Sequence, residues 1–280
     1  MKLAVLSGKG GAGKTLVAAN LAAAAGRATY VDCDVEEPNG RLFLKPVGVT
    51  STNVCTLLPK IDLVKCSGCR KCVNFCRFNA LVFIRKQPRV FAEVCHSCGG
   101  CMLVCPEQAI CETERPIGIV EQGRHGDVNV VTGVLNVGEA SGVPVIQAAM
   151  QAGIALGEDF TVIDCPPGSA CPVLECVDEC DFCLLVAEPT AFGFHNFKMV
   201  YELTALLQKP CAVVINKMDA PYPPLEDFCR EKNLPVLLRI PFNKELAGMA
   251  AAGKLVSEED EGAGAMFRGL LEKLGGGPQC

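Results

Sequence analysis

Apolar residues come in short runs separated by helical patterns along most of the chain. Residues 2–7 read as a buried strand, 14–25 as an alanine-rich helix, and 28–31 as a second strand that ends at Asp32-Cys33-Asp34. This strand–helix–strand rhythm predicts a parallel sheet with helices on both faces. The rhythm breaks near Pro59, and from there to Cys111 only short strands such as 81–84 are expected. It then resumes, with buried strands expected at 129–131, 160–164, 182–186, 212–215 and 236–239. The organisation this implies is one α/β domain, residues 1–58 and 112–280, interrupted by an insert over 59–111. A surface loop tolerates such an insertion because closure entropy grows slowly with loop length. The tail, residues 275–280, is expected to fray.

Composition changes that picture in one respect. Hydrophobic residues make up 50% of the 280 and charged residues 20%, enough for a sizeable core. The formal net charge of -5 argues against a nucleic-acid partner and offers no polybasic pull toward anionic lipid. The 19 cysteines are the anomaly. The apolar stretch before Gly8-Lys9-Gly10 is too short for a signal segment or a membrane span. A disulfide-stapled secreted domain is therefore not expected. The expectation is a reducing cytoplasm with cysteines used for metal.

Gly8-Lys9-Gly10-Gly11-Ala12-Gly13-Lys14-Thr15 fits G-x-x-x-x-G-K-[ST] between a predicted strand and a predicted helix. Glycines let such a loop wrap phosphates and aim its N–H groups inward, and the helix N-terminus adds a positive dipole end. Gly8, Gly10, Gly11 and Gly13 are the cradle, Lys14 the expected β/γ-phosphate contact, and Thr15 the expected Mg²⁺ ligand.

Lys9, a second lysine inside the loop, makes the pattern G-K-G-G-x-G-K-T. It resembles the deviant Walker A superfamily of MinD, ParA and nitrogenase iron-protein ATPases. The resemblance implies a nucleotide-sandwich dimer in which Lys9 reaches the partner's phosphates, much as an arginine finger does. It also implies roles for the strand ends. Asp34 should orient the attacking water, and Asp32 should support the loop and the Mg²⁺ environment. In Phe160-Thr161-Val162-Ile163-Asp164-Cys165-Pro166-Pro167-Gly168, Asp164 should bind Mg²⁺ and the Gly168 N–H should sense the γ-phosphate. Asn216-Lys217-Met218-Asp219 resembles the guanine reader of GTPases, but in the resembled family the matching Asn216 reads adenine. ATP is the expected nucleotide, with GTP as the minority reading through Asp219.

Cys66-x2-Cys69-x2-Cys72-x3-Cys76 is followed by Cys95-x2-Cys98-x2-Cys101-x3-Cys105-Pro106. This duplicated run looks like a bacterial-type two-cluster [4Fe–4S] ferredoxin, an α+β insert. In that pattern three close thiolates wrap one cluster face and the fourth reaches the other cluster. The resemblance implies Cys66, Cys69, Cys72 and Cys105 on one cluster and Cys95, Cys98, Cys101 and Cys76 on the other. Zinc favours separated C-x2-C pairs and explains two triplets poorly. Arg77 stands where a proline is expected after Cys76, and His96 reads as a loop residue.

The remaining thiols carry weaker signals. Cys171 lies at the spacing of the iron protein's bridging-cluster cysteine, but residues 136–140 supply no second one. Cys176-x3-Cys180-x2-Cys183 could hold a metal, although Cys183 falls in an apolar strand where cysteine is a small hydrophobe. Cys33, Cys55, Cys111, Cys165, Cys211 and Cys229 read as structural, and His125 and His195 have no ligand partners. The amphipathic stretch 265–274 is expected to pack on the sheet rather than on a membrane.

Nearly the whole chain resembles the MinD/Mrp-like ATPases with an inserted ferredoxin. The function implied is a Mg²⁺-dependent ATPase that couples dimer switching to electron transfer through two [4Fe–4S] clusters. The alternative is an ATP-dependent assembly or carrier protein for iron–sulfur or heterometal clusters. A third reading is a partitioning ATPase whose insert only stabilises the fold. Expected partners are a second copy or a sister ATPase, and a redox acceptor or metal-cluster carrier.

Overall fold

The computed structural model describes residues 1–275. Its strands are β1 (Lys2–Leu6), β2 (Thr29–Asp32), β3 (Val47–Ile61), β4 (Leu81–Ile84), β5 (Gln87–Val90), β6 (Ile110–His125), β7 (Val128–Leu135), β8 (Thr161–Asp164), β9 (Phe182–Ala187), β10 (Cys211–Met218) and β11 (Val236–Pro241). Nine of them form one sheet in the order β11-β10-β9-β1-β8-β2-β7-β6-β3, while β4 and β5 form a separate hairpin.

The central strands are apolar on both faces because helices cover both. Leu3 and Val5 of β1 face a layer that holds Val17 and Leu21 of the helix Lys14–Ala25 and Phe267 and Leu270 of the helix Glu261–Gly275. Ala4 and Leu6 face the other layer, built from the helices Val143–Ala155, Cys171–Asp178, Ala191–Leu206 and Pro223–Glu231. Each fully buried Leu or Phe contributes about 1.5–3 kcal/mol. The stretch 265–274 thus packs as expected, with Phe267, Leu270 and Leu274 buried. Gly275 ends that helix rather than starting a frayed tail, and the other tail residues, 276–280, lie outside the described residues. No helix among the described residues is long and apolar enough to cross a membrane.

From β11 to β7 the strands run parallel. The expectation of a wholly parallel sheet fails at one edge, where β6 is antiparallel to β7 and β3 antiparallel to β6. The chain leaves and returns along one long ribbon, which needs no crossover helix. Its pairing runs from Val47↔Arg124 to Ile61↔Ile110, so the boundaries expected at 59 and 111 fall on the ribbon's last rungs. Residues 62–109 hang from its far end. They hold the β4–β5 hairpin, the short helices Lys71–Phe75 and Gly100–Leu103, and a small apolar cluster of Cys72, Leu81, Cys101 and Ile110.

Candidate functional site

The loop 8–15 leaves the C-terminal end of β1 in the middle of the sheet, where the ends of β8 and β2 lie alongside. Val5 pairs with Asp164, and Asp164 with Asp32. Ligand crevices in open α/β sheets form at such strand ends. Gly11 and Gly13 hold φ values of 78° and 94°, which disfavour residues with a Cβ. At Gly13 a Cβ would also stand 2.0 Å from Asn216 Nδ2. The loop, Asp34 and the segment 166–173 line one large cavity.

Lys14 lies at its floor, 6% exposed. Its ammonium donates to Asp164 Oδ1 at 2.5 Å and stands 3.9 Å from Asp34 Oδ2. Burial pulls the Lys14 ammonium down, but Asp164, Asp34 and Asp32 outweigh it and hold its pKa above the usual lysine value. The hydroxyl of Tyr30 donates to Asp164 Oδ2 at 2.8 Å. Asp32 accepts from the Asp34 N–H at 3.2 Å and the Gly40 N–H at 2.8 Å, so it fastens the loop after β2. Burial, with Asp164 beside it, pushes Asp32 up to about 8, and burial pushes Asp34 up to about 6 against the pull of Lys14.

These raised carboxyls make the nucleotide-free chain less stable as pH rises. An unfolded chain releases both protons near 3.8, whereas the native chain holds them to about 6 and about 8. The native state binds more protons across that window, so unfolding free energy falls with pH. Urea midpoints at about pH 5 are expected to exceed those at about pH 8.

Two expected contacts have other partners in the structure. The Gly168 N–H donates to Ser7 O at 2.9 Å. Lys9 turns back onto its own chain, 2.9 Å from Glu188 Oε2 and 5.2 Å from the centre of the Phe192 ring. Lys217 also approaches Glu188, at 3.8 Å, and donates to Gly11 O. Asn216 donates to Ala12 O at 2.8 Å. It borders a second cavity of mainly apolar side chains, among them Ile240, Phe242, Leu246 and Met266. Asp219 is exposed and is not among that cavity's lining residues.

Sequence reasoning missed Tyr30 and Glu188. Tyr30 was within reach of pattern reading, since it lies two residues before Asp32 and so on the same strand face. Glu188 follows the end of β9 as Asp164 ends β8, but no motif names it.

In the insert, Cys66, Cys69, Cys72 and Cys105 line one cavity, and Cys76, Cys95, Cys98 and Cys101 line another. The Ala109 N–H points at Cys105 Sγ at 3.3 Å. His96 stacks on Phe78 with ring centres 3.9 Å apart. Among the described residues no group of three or more His, Cys, Asp or Glu side chains is placed to hold a metal ion. Each set brings four sulfur donors to one cavity, a donor chemistry common to iron–sulfur and zinc sites. Elsewhere, Cys176 Sγ lies within reach of Cys33 and Cys165. Cys180 donates to the Cys176 carbonyl and Cys183 is buried in β9. The group Cys176, Cys180 and Cys183 does not converge, and Cys171 is exposed.

The loop, the adjoining strand-end carboxylates and the sheet define a P-loop nucleotide-binding protein. The chain belongs to the CobQ/CobB/MinD/ParA nucleotide binding domain family, whose profile matches residues 3–256. Two uncharacterized proteins of Methanocaldococcus jannaschii are similar to it. One is 27% identical over 98% of this chain and 96% of its own length, the other 26% identical over 78% and 80%. Among solved structures, MinD of Pyrococcus horikoshii complexed with Mg-ADP is 18% identical, with a TM-score of 0.61 over 98% of this chain and 97% of that one. The cell division ATPase MinD of Pyrococcus furiosus is 19% identical, with a TM-score of 0.59 over the same shares. At such identities these structures establish the fold. The family makes this chain a MinD/ParA-type nucleotide-binding protein.

Proposed function

We propose that the chain hydrolyses ATP with Mg²⁺ between two ATPase copies and couples that dimer switching to electron transfer through two [4Fe–4S] clusters in the insert. The observation that carries this reading is the pair of four-thiol cavities on the same chain as the nucleotide cavity. Each cavity collects three cysteines of one run and the last cysteine of the other, the crossed sets that the duplicated spacing implies.

At the nucleotide site the Lys14–Asp164 pair stands in for phosphate and cation. With Mg-ATP bound, Lys14 would turn to the β/γ-phosphates, and Thr15 and Asp164 would hold Mg²⁺. Asp34 then orients the attacking water, and the Gly168 N–H leaves Ser7 for the γ-phosphate. The apolar cavity beside Asn216 suits adenine, and the outlying Asp219 is poorly placed to read guanine. Lys9 has to leave Glu188 to reach a partner's phosphates.

When bound, the two clusters supply one-electron transfer. Cys66, Cys69, Cys72 and Cys105 would hold one, and Cys76, Cys95, Cys98 and Cys101 the other. Four thiols around each cavity leave no open position for a client. That favours resident clusters over the assembly or carrier reading.

Anaerobic purification is expected to return about eight iron atoms per chain from two four-iron clusters, with coupled signals by EPR after reduction. ATP turnover should differ between the oxidised and reduced protein. Turnover blind to redox state would remove the coupling, and iron-free protein would remove the clusters. Cys105→Ser tests the crossed sets. It should degrade the cluster of Cys66, Cys69 and Cys72, lower iron toward about half, and leave ATP binding intact. Loss of the other cluster instead would overturn the assignment.

A further inference from the structure

One side chain bridges the loop that borders the nucleotide cavity and the turn that leads into the second thiol set. Arg115 lies on β6 and its guanidinium forks onto Glu139, with Nη1 2.8 Å from Oε1 and Nη2 on Oε2. Nη2 also reaches the carbonyl of Ala92 at 3.4 Å. That carbonyl accepts the Cys95 N–H at 3.2 Å, so Arg115 touches the turn that delivers the first cysteine of the second run. The Glu139 side chain is only 8% exposed. Arg115 Nε is buried without a partner, which leaves Glu139 and Ala92 as the anchors of the guanidinium. A two-pronged arginine–carboxylate pair fixes direction as well as distance.

The other end of the path is the nucleotide cavity. Glu139 belongs to the loop 136–142, whose last residue, Gly142, lines that cavity. Val35, next to Asp34, accepts the Leu135 N–H at 2.9 Å. The same valine abuts Gly142, where a Cβ would stand 2.8 Å from Val35 Cγ2. Asn136 donates its N–H to Ile117 O at 2.8 Å, which ties the loop to the strand that carries Arg115. These contacts tie both ends of the loop, at Leu135–Asn136 and at Gly142, to the Asp34 segment and to β6.

We propose that Arg115 is a positioning residue, the strut through which the loop at the nucleotide cavity and the turn before Cys95 move together. The role of the strut in redox coupling rests on the cluster reading above, whereas the mechanical coupling does not. A strut counts as coupling only if both ends respond to one ligand.

The test is anaerobic hydrogen exchange of the full chain, read by mass spectrometry with and without Mg-ATP, beside an iron assay. In the wild type, Mg-ATP should slow exchange in residues 136–142 and also in 92–98. In Arg115→Met and in the nearly isosteric Glu139→Gln, slowing at 136–142 should persist and slowing at 92–98 should be lost. Arg115→Lys should lose it too, since an ammonium lacks the rigid planar fork that fixes Glu139 and Ala92 in direction. A wild type in which 92–98 ignores Mg-ATP overturns the proposal, and so do variants that keep the response. An iron-free wild type that still shows the linked response would refute the clusters and leave the strut standing. Glu139→Gln keeps the test decisive if Arg115→Met does not fold.

Discussion

Alanine in place of Lys14 is expected to abolish ATP turnover while leaving a weakened fold. The ammonium is 6% exposed and sits beside the carboxylates of Asp164 and Asp34, 2.5 Å and 3.9 Å away. Losing one preorganised cation at a developing charge costs about 10²–10³ in kcat, and the loss of phosphate binding adds to that. The apo chain suffers as well. Removing one partner of a buried pair costs up to about 3–5 kcal/mol. Here the cost is relieved in part by proton uptake, because Asp32 and Asp34 already hold protons to about 8 and about 6. The variant should therefore lose most stability at high pH and least near pH 5. Lys14→Met, which keeps much of the stem, should fold better and be equally inactive. Calorimetry with Mg-ATP, steady-state turnover and urea melts at two pH values check each part. Turnover within about tenfold of wild type would show that the loop is not where hydrolysis occurs.

What pattern reading found in this chain and what it missed have different physical causes. β1, β8 and β9 are buried on both faces, so they announce themselves as unbroken apolar runs. The helix Lys14–Ala25 starts and ends where its alanine-rich pattern does. β3 and β6 were invisible for the opposite reason. Most β3 side chains are exposed or half-buried, and a backbone ladder along the ribbon holds the strand rather than apolar alternation. The antiparallel edge therefore follows from how the chain enters and leaves residues 62–109, which no local pattern encodes. At the site, glycine spacing and strand-end aspartates were legible because the chemistry fixes residue type and position together. Glu188 and Arg115 were not, because each acts on a group more than 20 residues away in sequence and belongs to no motif.

Lys9→Ala is expected to spare nucleotide binding and to lose the hydrolysis that depends on a second copy. In the single chain Lys9 borders the nucleotide cavity but its ammonium is turned onto its own chain. Its charge is held by Glu188 at 2.9 Å and it lies over Phe192. Release need not strand the carboxylate, since Lys217 waits 3.8 Å from the same oxygen. The exchange of one lysine for the other keeps Glu188 paired while Lys9 is freed for a partner's phosphates. A cation delivered in trans is worth about 10³–10⁵ in kcat in related phosphoryl-transfer systems. Turnover should fall by that order and stop rising with protein concentration, with ATP affinity unchanged. Glu188→Gln should act in the opposite direction. The Lys9 and Glu188 side chains are 21% and 18% exposed, so the pair is only partly screened, but Lys217 can take over Glu188, which keeps the net cost of releasing Lys9 to about 1 kcal/mol. Loosening it should raise turnover at low protein concentration by about fivefold or less. A Lys9→Ala protein that keeps wild-type turnover and its concentration dependence would mean that Lys9 is only a loop anchor for Glu188, and that any dimer closes without it.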